Sequence, residues 1–527
     1  AGDVNGDGYS DIIVGAPLFS NGEAGEGVAY VFHGSAAGLA AAPAWTREGG
    51  QAGAHLGDSV SSAGDINGDG FADIIVGADT YNNGAVSEGK AWVYLGSASG
   101  VSGSSVWSAE GDVASAYYGY AVAMAGDVNG DGYGDVIVGA YGYNGKGAAF
   151  AYYGSADGLT TIAGWHAYGG QANDGYGYVV RTAGDVNGDG FSDIIVGAPQ
   201  YDNGENNEGR AYVYHGSATG IAAAPAWIAE GNQAVARFGG AIGTAGDVNG
   251  DGYSDVIIGA PLYDNGENDE GRAYVYYGSA TGLAAIPAWT AEGNQVSASF
   301  GAAVGTAGDV NGDGYSDVIV GATYYDGTIV DVGRVTAYYG SESGLSATAG
   351  WAVEGDQQNA AFGNAVGIAG DVNGDGYDDV IVGAYNYHNG QVGEGMAFVY
   401  HGAASGLSTT VNWTAESDQA NAQFGVSVGT AGDVNGDGYS DVIIGADKYD
   451  TADVDTGAAF VYHGSGSGLV AGPSIILPGL QTDSYYGYAS GTAGDVNGDG
   501  YSDVIVGADR SDWLGARHEC CARLYSC

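Results

Sequence analysis

Short apolar runs alternate with polar, glycine-rich segments along almost the whole chain. Residues 238–292 display one cycle of the pattern. FGGAIGTAG (Phe238–Gly246) is a run of small residues, Asp247–Asp255 is polar, and VIIGA (Val256–Ala260) is continuously apolar. An acidic stretch, LYDNGENDEG (Leu262–Gly271), then leads into RAYVYY (Arg272–Tyr277), rich in aromatic and β-branched residues. GSATGL (Gly278–Leu283) reads as a turn and AWTAE (Ala288–Glu292) as a last short strand. Brief runs of this kind, bounded by Gly, Asn and Asp, predict four strands per cycle and no helix. The continuously apolar second run predicts a strand buried on both faces.

The cycle repeats. Its polar segment begins at Asp3, Asp65, Asp127, Asp185, Asp247, Asp309, Asp371, Asp433 and Asp495, at intervals of 62 residues except for one of 58, from Asp127 to Asp185. The short interval falls in the turn at Tyr141–Gly147, which lacks four residues of the acidic turn seen elsewhere, as expected where a loop absorbs a deletion. Four antiparallel strands in such a unit are the size of one propeller blade. The predicted fold is all-β, a β-propeller of four-stranded antiparallel blades over residues 1–509, followed by a non-repeating, cysteine-containing tail, 510–527. Counting runs yields eight first strands, nine second strands, eight third and eight fourth. The simplest closure is therefore eight blades joined by both termini, with Tyr486–Gly494 as first strand of the N-terminal blade and one loop in surplus. Seven blades, or a fragment of a longer array, are the alternatives. Trp45, Trp107, Trp165, Trp227, Trp289, Trp351 and Trp413 keep the same beat, with Ile475 in the last place. Packing between blades is favoured for them over a ring of ligand-stacking aromatics.

Composition excludes several function classes. Asp and Glu number 63 against 12 Lys and Arg, a net charge of −51, which argues against nucleic acid and anionic membrane surfaces as partners. No run of about 18 apolar residues offers a membrane-spanning helix. Cys520, Cys521 and Cys527 all lie in the tail, so disulfides cannot hold the repeats together. The chain opens at Ala1 inside a repeat, which suggests a processed or truncated start.

The charge has a focus in the polar segment. In the first copy, oxygen donors stand at loop positions 1, 3, 5 and 9 (Asp3, Asn5, Asp7, Asp11), Tyr9 at position 7 can offer its carbonyl, and Gly8 permits the turn. The equivalent sets are Asp65, Asn67, Asp69, Phe71, Asp73; Asp127, Asn129, Asp131, Tyr133, Asp135; and Asp185, Asn187, Asp189, Phe191, Asp193. They continue as Asp247, Asn249, Asp251, Tyr253, Asp255; Asp309, Asn311, Asp313, Tyr315, Asp317; and Asp371, Asn373, Asp375, Tyr377, Asp379. The last two are Asp433, Asn435, Asp437, Tyr439, Asp441 and Asp495, Asn497, Asp499, Tyr501, Asp503. Hard oxygen donors at alternate positions, with no thiol or imidazole, suit Ca²⁺, about one ion per loop. The spacing follows an EF-hand through position 9 but has Val14 where an EF-hand places its bidentate Glu, so strands rather than switching helices flank the site.

The pattern FG…AGDVNGDGYSDVIVGAP followed by GRAYVYHG resembles the FG-GAP repeat of integrin α-subunit propellers, from Ala1 to about Asp509. The resemblance implies calcium loops between the first and second strands on one face of the disc. It also implies ligand binding on the opposite face, at the turns after the second and fourth strands. Integrin legs, an inserted domain and a transmembrane helix are not in the sequence, so whole-integrin function is not implied.

The function expected is an extracellular or cell-surface binding or adhesion module for a protein or glycan. One alternative is a self-associating structural subunit of a surface layer or filament, which near-identical blades would favour. Another is the propeller part of a secreted hydrolase or lyase. Catalysis is disfavoured: HExxH and GxSxG are absent, and acids repeated nine times read as architecture rather than as one active site. The turns after the second strand, LFSNGEAGEG (Leu18–Gly27), TYNNGAVSEG (Thr80–Gly89), QYDNGENNEG (Gln200–Gly209) and YNYHNGQVGEG (Tyr385–Gly395), vary and are the candidate contact surface. The ligand site itself is not assigned.

Overall fold

The computed structural model describes residues 3–5, 12–17, 19, 23–32, 44–433, 435, 437–451, 454–478, 486–494 and 503–508. Within them every regular element is a strand, save one short 3₁₀ turn at Tyr143–Gly145. The strands form seven four-stranded antiparallel sheets, one three-stranded sheet at the N-terminal end and one two-stranded sheet at the C-terminal end. In the fifth unit the strands are Ala241–Gly246, Asp255–Ala260, Arg272–Tyr276 and Trp289–Glu292. They pair in chain order, each with the next. This is the blade of a β-propeller, and the strand assignments follow the apolar runs to within a few residues.

Burial grades across a blade as the composition demands. The second strand is buried at all six positions, the third at all but its first, and the fourth only at its tryptophan. The apolar clusters mix two sheets: Ile195, Val213, Trp227 and Ala236 of one blade pack with Ile258, Tyr274, Tyr276 and Leu283 of the next. Blades are thus held by one another, each buried Val or Ile contributing about 1.5–3 kcal/mol. The first strand ends in a bulge at Thr244/Gly246, where the chain turns into the polar loop. Gly246 has φ +79°, and a Cβ there would sit 2.3 Å from Ser316 Oγ of the following blade, so the position admits only glycine.

The ends of the chain depart from expectation in one respect. Tyr486–Gly494 pairs with Asp503–Ala508, its neighbour across the ninth loop, and not with Ile12–Ala16. A local hairpin costs less loop-closure entropy than a pairing between chain ends. Asp503–Ala508 in turn lies beside Ile12–Ala16. The three N-terminal and two C-terminal strands therefore lie together with one strand in excess of a blade, which is the surplus second strand of the count. The tail, 510–527, lies outside the described residues.

Candidate functional site

From the second to the eighth copy the polar loop joins the innermost strand of a blade to the second, and its side chains fold it. In the second loop Asp65 Oδ1 accepts the amides of Gly68 (2.7 Å) and Asp69 (3.2 Å), while Oδ2 accepts that of Gly70 (2.9 Å). Asn67 Oδ1 accepts the Asp69 amide (2.9 Å), and Asp69 Oδ1 accepts that of Phe71 (3.0 Å). Asp127 and Asp131, Asp185 and Asp189, Asp309 and Asp313, and Asp371 and Asp375 repeat these bonds. Asp247 and Asp433 likewise accept from Gly252 and Gly438. Carboxylates that gather backbone amides in successive tight turns fix the loop before any ligand arrives.

Position 9 is different. Asp73 is fully buried, accepting the Ile66 amide (2.9 Å) on one oxygen and the Gly96 amide (2.8 Å) on the other. Burial pushes its carboxyl up to about 7, and the nearby Asp69 and Asp65 push in the same direction against the two amide bonds. Asp135, Asp193, Asp255, Asp317 and Asp379 are in the same state, and Asp441 is equally buried. The sequence grouped the position 9 acid with the oxygen donors at positions 1, 3 and 5; the structure places it at the base of the loop, tying it to the turn after the third strand. Each of its oxygens keeps a lone pair beyond its one amide bond. All side-chain donors of the loops are oxygens, and none of the loops contains Lys or Arg. Carboxylate and amide oxygens alone, gathered without a compensating cation of the chain, are a donor set that fits a hard divalent cation.

Among the described residues no loop brings three carboxylates within 4.8 Å of one another; the trio that does is Glu88, Glu110 and Asp112, at the other end of the blade. Like charges in a loop keep apart and turn to backbone amides. Asp7, Tyr9, Asp11, Asp495, Asn497, Asp499 and Tyr501 lie outside the described residues, and Asp503 is described in its backbone alone.

Neighbouring loops touch. The carbonyl at position 1 accepts the position 8 amide of the next loop: Asp65 from Gly134 (2.8 Å), Asp127 from Ser192 (3.0 Å), Asp371 from Ser440 (2.8 Å). The position 7 ring of one loop lies over the position 4 glycine of the loop before, so that a Cβ on Gly68 would be 2.5 Å from Tyr133. Asp378, alone at a position otherwise held by Ser, Ala or Gly, reaches back to accept the Asp309 amide (2.8 Å).

The tryptophans are joints between blades. Each indole Nε1 donates to a carbonyl in the next blade: Trp45 to Ser102, Trp107 to Thr160, Trp165 to Ala222, Trp227 to Ala284, Trp289 to Ser346, Trp351 to Ser408 and Trp413 to Val470, all at 2.6–2.8 Å. Each ring also meets a tyrosine of that blade edge-on, as Trp227 meets Tyr276 at 4.5 Å. They are buried, which leaves no face for a stacked ligand.

At the end opposite the loops the repeats diverge in one place. Tyr117 and Tyr141 stack at 4.8 Å with planes 7° apart, Tyr120 meets Tyr141 at 4.6 Å, and Tyr178 meets Tyr120 at 5.2 Å. Tyr178 is exposed. Tyr120 and Tyr178 occupy the position held by Asp58 in the second unit, by Gly240, Ala302, Asn364 and Val426 in the next four, and by Tyr488 in the last. Burial raises the Tyr141 phenol to about 12, and Asp79 and Asp58 add to it across the cluster. His55 donates to Asp79 (3.5 Å), and that bond raises the imidazole above its ordinary value. This constellation went unread in the sequence. Its one signal was tyrosine at this position in two consecutive units, beside the shortened turn at Tyr141–Gly147.

Comparison with known proteins bears on both ends of the blades. The FG-GAP repeat profile matches residues 1–32, 56–94, 118–152, 176–214, 238–276, 300–338 and 362–400, and an FG-GAP-like repeat profile matches 433–506. The chain is similar to integrin alpha-PS2 of Drosophila melanogaster, 35% identical over 191 residues, 34% of this chain and 14% of that protein. It is 34% identical to integrin alpha-V of Gallus gallus over 216 residues, 39% of this chain and 20% of the relative. With integrin alpha-5 of Xenopus laevis it shares 31% over 254 residues, 46% and 23% of the two chains. The aligned parts span less than a quarter of these relatives.

Proposed function

Because the chain belongs to the FG-GAP repeat family and is integrin-α-like, we propose that it is an extracellular adhesion-type propeller whose loops hold Ca²⁺ and whose opposite end binds a protein partner. The positions that would hold the ion are the acids and Asn at 1, 3, 5 and 9 and the carbonyl at 7, for example Asp247, Asn249, Asp251, Asp255 and Tyr253. The ion supplies positive charge to carboxylates that otherwise repel. The chain's own contribution is to hold those acids by amide bonds and to tie each loop to the next.

The observation that carries the binding reading is the tyrosine cluster. Large, rigid rings that end in a hydroxyl and lie beside carboxylates are economical contact groups for a protein surface. Two consecutive units carry tyrosine at the place of Tyr120 and Tyr178, and the four units that follow carry Gly240, Ala302, Asn364 and Val426. A non-catalytic role accords with acids spent on architecture.

Two measurements test this. Thermal melting in millimolar calcium and in excess EDTA should differ by many degrees, since each site filled at 100 times its Kd adds about 2.7 kcal/mol. An unchanged melting temperature would end the calcium reading. Attachment to immobilised extracellular-matrix extract should need calcium and fall in Tyr178→Ala, which removes the exposed ring, at a temperature where the variant is fully folded. Equal attachment by the variant would remove the cluster from the function.

A further inference from the structure

The first strands of five consecutive blades line a cavity of about 390 Å³. Its walls are aliphatic and small: Val179, Ala241, Ala303, Ala365 and Val428 are among them. One lining residue is ionisable, Arg181. The same place in the other described first strands is held by Ser61, Ala123, Gly243, Gly305, Gly367, Gly429 and Gly491. At Gly305 and Gly429 a Cβ would meet nothing within 4 Å, so these strands border open space.

Arg181 differs from the rest of the cavity wall. It is exposed within this cavity, and it forms no ion pair among the described residues. Lys90, Arg210 and Arg272, by contrast, are each matched to a glutamate, Glu110, Glu230 and Glu292. Arg237 and Arg334 also form no ion pair among the described residues, Arg334 donating instead to the Tyr325 hydroxyl (3.0 Å), so the mark of Arg181 is its place in the wall of the cavity. The first strand is also the edge of its sheet, so one side of its backbone faces the cavity without a ladder partner.

We propose that the cavity is a binding site for an organic carboxylate, held at Arg181. The guanidinium fork matches a carboxylate in two parallel bonds, and the aliphatic wall takes an apolar body behind it. The surrounding charge of −51 disfavours multiply charged anions, so a monoanion is the better match. The group comes either from a free small acid or from the terminal carboxylate of a partner chain that enters the cavity.

Titration calorimetry on the full chain in calcium buffer decides it, with benzoate, a short apolar peptide ending in a free carboxylate, and the same peptide amidated. The variants are Arg181→Gly, which installs the residue five other first strands already carry, and Ala303→Leu, which adds bulk to the cavity wall two strands along. The expected result is saturable one-to-one binding of benzoate or the free-acid peptide, weakened about tenfold or more in both variants at unchanged melting temperature. Binding of benzoate alone assigns a small acid, and binding of the free-acid peptide but not its amide assigns a chain terminus. Absence of binding by both acids, or equal binding by Arg181→Gly, overturns the proposal.

Discussion

At the scale of single residues, most of the side chains that stand out in the sequence serve the joints between blades. Trp227 is representative: its ring meets Tyr276 and its Nε1 donates to Ala284 at 2.7 Å. Trp227→Phe keeps an aromatic ring but leaves a carbonyl without its donor, and should cost about 1–3 kcal/mol in denaturant unfolding with unchanged slope. The repeating beat made Trp227 legible as structure before any coordinates. The burial of Asp255 was not legible, because the amide that holds one of its oxygens belongs to Gly278, 23 residues downstream. Nor was the ring contact of Tyr120 with Tyr178, which joins one blade to the next.

At the scale of the element, the turns show how a unit tolerates change. The second-to-third turn usually carries a buried glutamate: Glu26 accepts the Gly50 amide at 2.8 Å, and Glu88, Glu208, Glu270 and Glu394 are likewise buried. The 58-residue unit has Lys146 at that place and the fully buried Asp174 where Ala54 and Ala116 stand in other units. Asp174 accepts the amides of Gly170, Gln171 and Tyr176, so the carboxylate has moved from one turn to the next and kept the same kind of partner. Asp174→Ala should cost about 1–3 kcal/mol, with partial recovery on adding Lys146→Glu. Burial raises the Asp174 carboxyl above its ordinary value. Its folded state therefore favours the proton: the contribution is fully present below the unfolded pKa and is lost as pH rises through the folded value. Asp174→Asn, which cannot ionise, should gain stability relative to the parent as pH rises through that window, read from unfolding midpoints. The strands themselves were legible because nine copies of one pattern cancel local ambiguity. The pairing of Tyr486–Gly494 was not, since two second strands of nearly identical sequence compete for it and only distance along the chain separates them.

At the scale of the whole molecule, the two ends of the blades divide the work. One end carries loops that differ little, and the other carries the tyrosines at the single place where the units differ most in length. Loop contacts run from each unit to its successor, as from Ser254 to Asp185 and from Ser316 to Asp247. An ion in one loop would therefore steady the loops on either side. The indole bonds follow the same rule, since each tryptophan reaches the adjacent blade and goes no further. This has a mechanical consequence. A molecule pulled by its two ends would not yield all at once, because among the described residues the indole and loop bonds tie each blade only to its neighbour. It would shed blades from an end in near-equal steps, each releasing about 200 Å of chain at roughly 3.3 Å per residue. A single-molecule force trace with a regular sawtooth of that spacing, its peaks lowered by EDTA, is the signature; one abrupt rupture would mean that the blades share load in a way these joints do not provide.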